Sequence, residues 1–164
     1  GKGSFNNVTE IDKDWVLKQP KPRKDLEPDW KDLDIKGEFS RHIGTMKKHP
    51  EIFAQVKKLS DIRAAIERLD TKKAQDETYY VVDWLNSKGY SDDIDVNVLI
   101  GDLVDGYQPF GKILKMMLSS KDPIVKKWGE FAKNIKTIFP NGGLDIHIFN
   151  MGLDKTGNPK LFDF

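Results

Sequence analysis

The chain closes on Asp145-Ile-His-Ile-Phe-Asn150 and, past the turn Asp154-Lys-Thr-Gly-Asn158, on Leu161-Phe162-Asp163-Phe164. An Asp, an Asn five residues on and a second Asp closing an apolar strand are the groups that a phosphoryl-transfer site uses. Asp145 can accept a hydroxyl proton. Asn150 and Asp163 offer oxygens to a Mg²⁺ that sits on nucleotide phosphates. The other end of the chain strengthens the reading. It opens Gly1-Lys-Gly3-Ser4-Phe5-Asn6-Asn7-Val8 and continues to Trp15-Val16-Leu17-Lys18.

Composition narrows the alternatives. A chain of 164 residues suits one domain or two small lobes sharing a cleft. Apolar residues make up 38%, and nine Phe and four Trp give a core large side chains to bury. Charged residues reach 32% but net only +1, with both signs interspersed, which argues against a nucleic-acid footprint. With no cysteine, thiolate catalysis, disulfides and Cys-based zinc sites are excluded. A cytoplasmic compartment fits. No apolar run is long enough to span a bilayer, so no membrane partner is expected. His42 and His49 have no third ligand nearby and read as structural. The acidic Asp92, Asp93 and Asp95 lack the Gly and Glu of a calcium loop.

Periodicity gives the element order. Residues 1–18 read as a β-hairpin turning at Asp12-Lys-Asp14. Residues 19–30 carry three Pro and read as a loop. Ile35, Phe39, Ile43 and Met46 recur at helical spacing within a helix from about Trp30 to Lys48, stopped by His49-Pro50. Residues 52–59 read as a strand, and Arg63–Leu69 as a second strand or a short helix. Asp70-Thr71 can cap a helix over about 72–88, with Tyr79, Val82, Trp84 and Leu85 as its apolar anchors and Gly89 as its stop. Helical patterns follow over about 95–119, broken near Gly106–Gly111, and over 122–139. Pro140-Asn-Gly-Gly143 ends the helical block, and the tail reads strand, turn, strand. The fold class is α+β in two lobes, about 1–69 and 70–164, the second a reduced helical lobe closed by the hairpin that carries Asp163.

These residues resemble the protein-kinase superfamily. Gly1-x-Gly3-Ser4-Phe5 with Val8 is similar to its glycine-rich phosphate loop, with Asn6 in place of the third glycine. Val16-Leu17-Lys18 is similar to its lysine-bearing strand. The resemblance implies that Gly1, Gly3 and Ser4 cover the ATP phosphates, that Val8 and Val16 roof the adenine, and that Lys18 holds the α- and β-phosphates. It implies an anchored glutamate for that lysine, best matched by Glu38, with Glu27 and Glu51 as rivals. Ile66 would guard the back of the nucleotide site, and Glu67 and Leu69 would offer backbone groups to adenine. Asp145 to Asn150 and Asn150 to Asp163 have the family's spacings. They imply a catalytic Asp145 and Mg²⁺ ligands Asn150 and Asp163. ATP and Mg²⁺ are the implied cofactors.

The departures shape the expected function. Gly143-Leu144 stands where the family carries His-Arg, so control by a phosphorylated activation loop is not expected. His147 takes the place of a phosphate-contacting lysine, as in small-molecule kinases and in compact kinases of phages and bacterial effectors. With acid–base work assigned to Asp145, His147 reads as a loop histidine with a backbone hydrogen bond. The resemblance stops at Phe164, where the family's activation segment begins. The expected activity is transfer of the ATP γ-phosphoryl group to a Ser or Thr hydroxyl of a protein. An aminoglycoside-kinase-like phosphotransferase and a pseudokinase-like binding module are the alternatives. Lys18→Ala and Asp163→Ala are each expected to abolish transfer while leaving the fold intact.

Overall fold

The computed structural model of the chain describes residues 6–32, 34–90 and 94–164. The chain divides into two compact units, Gly1–Arg68 and Leu69–Phe164. Both mix or juxtapose helix with antiparallel strands, so the fold is α+β.

The first unit is a four-stranded antiparallel sheet with one long helix. Strand β1 (Asn6–Glu10) turns into β2 (Trp15–Pro20). The turn is built by Asp12, whose carboxylate accepts the N–H groups of Asp14 and Trp15 at 2.8 and 2.9 Å. A short carboxylate side chain satisfying the backbone just downstream is why Asp favours such turns. Helix α1 (Ile35–Lys48) buries Phe39, Ile43 and Met46. It starts later than its periodicity suggests. A 3-10 turn over Pro28–Trp30 precedes it, and Asp34 caps it by accepting the Gly37 N–H at 3.1 Å.

Strands β3 (Val56–Ser60) and β4 (Arg63–Glu67) complete the sheet in the order β1-β2-β4-β3. Pairing settles Arg63–Glu67 as strand, because β4 lies between β2 and β3 and is hydrogen-bonded on both edges. Its Ala64, Ala65 and Ile66 are buried, in keeping with its inner place in the sheet. The strand expected over 52–59 begins only at Val56. Ile52 and Phe53 are buried in the turn after α1, both donating to the His49 carbonyl, at 3.2 and 3.1 Å.

The second unit is helical. Asp70 caps α2 (Thr71–Ser87) by accepting the Lys73 N–H at 2.9 Å, and Gly89 ends it at φ 93°. Its buried face is Ala74, Thr78, Val81 and Leu85. Of the expected anchors only Leu85 lies there, and Tyr79 is 54% exposed. One residue is 100° of rotation, so Tyr79 falls off a stripe set by Thr78, whose hydroxyl turns inward onto the Gln75 carbonyl. The next helical block divides into α3 (Leu99–Asp105) and α4 (Phe110–Leu118), with Gly106 at φ 72° between them. Asp122 caps α5 (Pro123–Ile138), which buries Trp128, Phe131 and Ile135.

The hairpin of β5 (Met151–Leu153) and β6 (Pro159–Leu161) packs on the start of α2. Asp70 and Leu153 exchange two backbone hydrogen bonds of 2.8 and 3.1 Å. Gly152 permits the approach, since a Cβ there would stand 2.5 Å from that of Leu69. Among the described residues no helix is long and apolar enough to cross a membrane.

Candidate functional site

The site of the second unit is built on the segment between α5 and β5. Gly142 and Gly143, at φ 72° and 93°, turn the chain out of α5. Beyond them the chain alternates. Ile146 and Ile148 are buried, while Asp145 is exposed and His147 half-exposed between them. Alternate apolar side chains thus pin the loop and present the polar ones outward. The backbone is fastened too, by the Ile148 N–H donating to the Asn97 carbonyl at 2.8 Å. Helix α3 approaches closely at Gly101, where a Cβ would meet the Ile146 carbonyl oxygen at 2.9 Å.

Asn150 is the hub of the site. It is 9% exposed and ends a 3-10 turn over Ile148–Asn150. Its side-chain amide donates to the Asp145 carbonyl at 2.9 Å, its N–H to the His147 carbonyl at 2.9 Å, and its own carbonyl accepts the Phe162 N–H at 3.0 Å. Those bonds bring the backbones of Asp145, Asn150 and the segment carrying Asp163 together. Asp163 lies just past β6, half-buried, and its carboxylate accepts the Phe164 N–H at 3.0 Å. The Asp145 side chain is 75% exposed, with its Oδ2 3.5 Å from His147 Nε2. The other ring nitrogen, Nδ1, accepts the Phe149 N–H at 3.2 Å, the backbone bond expected of a loop histidine.

Two carboxylates nearby have displaced titrations. Asp154 in the hairpin turn is held below the ordinary carboxylate value. Burial pushes it up, but the Thr156 hydroxyl, the Asn158 and Thr156 N–H groups and Lys160 outweigh that. Asp102 on α3 is pushed up by burial and by the charges of Asp105 and Asp95. It lines, with Val98, Ile135, Phe139 and Asp145, a cavity of about 270 Å³.

The first unit gathers other predicted residues. Val8 stands opposite Lys18, Lys18 opposite Ala64, and Val16 opposite Ile66. Directly opposed residues share a face, as do residues two apart. Val8, Val16, Lys18 and Ile66 therefore lie on one face of the sheet. Lys18 is 1% exposed and Val8 49%. The recorded ion pair of Glu38 is with Arg41 on its own helix. Glu67 takes both its backbone and its side chain to Gln55, donating N–H to the carbonyl at 2.8 Å and accepting Gln55 N–H at 3.2 Å. Leu69 is buried at the start of the second unit. Gly1, Gly3 and Ser4 lie outside the described residues.

Asn97, Gly101 and Phe162, which hold the loop through backbone contacts, were not singled out in the sequence. Asn97 and Phe162 act through main-chain atoms, which leave no side-chain signature. Gly101 did leave one, an isolated glycine inside an apolar helical pattern. Among the described residues no cluster of three or more His, Asp or Glu is gathered as a metal site would gather them. No protein-family model matches the chain, and neither a curated protein nor a solved structure matches it.

Proposed function

We propose that the chain is an ATP- and Mg²⁺-dependent phosphotransferase with a two-lobe, protein-kinase-like architecture, passing the γ-phosphoryl group to a hydroxyl of a protein substrate. The observation that carries this reading is the double tie of Asn150 to the Asp145 carbonyl and to the Phe162 N–H. It ties the backbone at Asp145 and at Phe162, the residue before Asp163, to Asn150, which supports reading the three as one site.

In this reading Asp145 is the general base. Its exposed carboxylate is accessible to an acceptor hydroxyl and takes up its proton as the oxygen attacks the γ-phosphorus, while the bond to the ADP oxygen breaks toward ADP. Asn150 and Asp163 would hold Mg²⁺. The amide nitrogen of Asn150 is committed to Asp145, so Oδ1 is the atom that would serve as its ligand to the metal. One amide oxygen and one carboxylate suit Mg²⁺, which binds few protein oxygens and keeps waters and phosphates for the rest. When bound, the ion neutralises charge building on the phosphates. Lys18, Val8, Val16 and Ile66 supply the nucleotide-holding face of the first unit, with the phosphates assigned to Lys18.

Thermal unfolding with ATP, with and without Mg²⁺, on the wild type and Asp163→Asn tests the reading. Stabilisation that needs Mg²⁺ and vanishes in the variant is expected. Transfer from γ-labelled ATP should then place label on protein. Label on small hydroxyl acceptors alone would move the assignment to a small-molecule kinase. No nucleotide effect in any condition would replace it with a binding module.

A further inference from the structure

We infer that His147 is a positioning residue for Asp145, an assignment that rests on the phosphotransferase reading. Among the described residues His147 is the side-chain partner recorded for the Asp145 carboxylate. The two ring nitrogens have different tasks. Nδ1 accepts the Phe149 N–H at 3.2 Å, so the neutral ring carries its proton on Nε2. That Nε2–H stands 3.5 Å from Asp145 Oδ2. At that length the contact is longer than a hydrogen bond, and a small rotation of the exposed carboxylate shortens it into one. The ring is the better-held partner. It is anchored at Nδ1, packs near Phe149 with ring centroids 6.1 Å apart, and is 31% exposed against 75% for Asp145. A held ring beside a loosely held carboxylate determines where the carboxylate points. Rate then depends on the fraction of time that Asp145 spends aimed at the acceptor hydroxyl.

Two substitutions separate the roles of the nitrogens. His147→Asn keeps an acceptor near the Nδ1 position but has nothing that reaches Asp145. His147→Gln places an amide N–H where Nε2–H stands. His147→Ala should lower kcat about tenfold with KM for ATP within about twofold. Gln should restore most of kcat, and Asn should not. Imidazole ¹⁵N spectra of the full chain at mildly alkaline pH should give the Nε2–H tautomer, with an Nε2 signal that moves in Asp145→Asn. An Nδ1–H tautomer, or an Nε2 signal unmoved in that variant, would overturn the pairing. Rescue by Asn instead of Gln would reduce His147 to a turn cap. No transfer by the wild type, with the imidazole response intact, would overturn the phosphotransferase reading and the catalytic purpose of the pair, while the pair itself stood.

Discussion

Asn150 donates its side-chain amide to the main-chain carbonyl of Asp145 at 2.9 Å, across a loop that holds the candidate base. The bond is part-buried, between the 9%-exposed Asn150 and the carbonyl of an exposed residue, and its loss removes an attraction and leaves a gap where the buried amide stood. Asn150→Ala should destabilise the second unit by about 1–3 kcal/mol. Asn150→Asp should do no better, since it faces a carbonyl oxygen with a carboxylate. Urea unfolding followed at the tryptophans measures both. A midpoint unchanged in Asn150→Ala would mean that the loop is held without this bond.

Glu77 on α2 offers a second test of the same unit. Its Oε1 accepts from the buried Trp128 indole at 3.0 Å and meets Lys127 Nζ at 2.6 Å, and Lys127 also donates to the Gly157 carbonyl at 2.9 Å. One carboxylate thus ties α2, α5 and the hairpin turn. Breaking a largely buried pair costs more than the pair is worth, because the remaining groups stay desolvated. Glu77→Ala should cost about 2–4 kcal/mol, and Glu77→Gln less, because its amide oxygen can still accept from the indole. Thermal midpoints of the two variants check the order. Equal loss in both would show that the charge, and not the acceptor, is what matters.

The Asp154 turn predicts a pH dependence. The carboxylate accepts from the Thr156 hydroxyl at 2.7 Å and from the Thr156 and Asn158 N–H groups, each at 2.9 Å. These bonds favour the charged form, so the folded-state value lies below the unfolded one. The resulting stability is present above the ordinary Asp value of 3.8 and is lost as pH falls through the lower folded value. Asp154→Ala should therefore be less stable than wild type by about 1–2 kcal/mol at neutral pH, and the gap should narrow on acidification. Urea midpoints taken from neutral pH into the acid range measure it. A gap that widened in acid would contradict the assigned sign.

Much of the fold was legible because local chemistry and global pattern agree. Asp70 ahead of a helix, Gly89 at its end, the broken block at Gly106 and the Asp154–Asn158 turn all read from single residues with one favoured conformation. The strand at Arg63–Glu67 stayed ambiguous because a short apolar run has no diagnostic period. Only its two neighbours decide it. The face of α2 is hidden for a related reason, since the large side chains Tyr79, Val82 and Trp84 outweigh Ala74 and Thr78 in the pattern, while the burial goes to the small ones. In the site, the Asp145–Asn150 spacing was visible, but the bond between them was not. Nor was the approach of α3 at Gly101, which depends on how far apart two backbones pack.

Burial changes what is expected of Lys18. The sequence reading makes it a removable functional side chain, but at 1% exposure it is also part of the sheet's packing. Lys18→Ala removes most of a long side chain from between neighbours that cannot fully close, and should cost about 2–5 kcal/mol in addition to any function. It is therefore a poor test of the nucleotide assignment by itself. Lys18→Met keeps most of the length and volume, so it retains packing that Ala loses and should be the more stable of the two variants. Both variants should lose ATP-dependent stabilisation, but only Met should do so on an intact fold. Circular dichroism and thermal unfolding with and without Mg²⁺-ATP distinguish them. If Met folds and still responds to Mg²⁺-ATP as the wild type does, Lys18 does not hold the phosphates. If both Met and Ala fail to fold, the ammonium is tied into the sheet by bonds that no apolar side chain replaces.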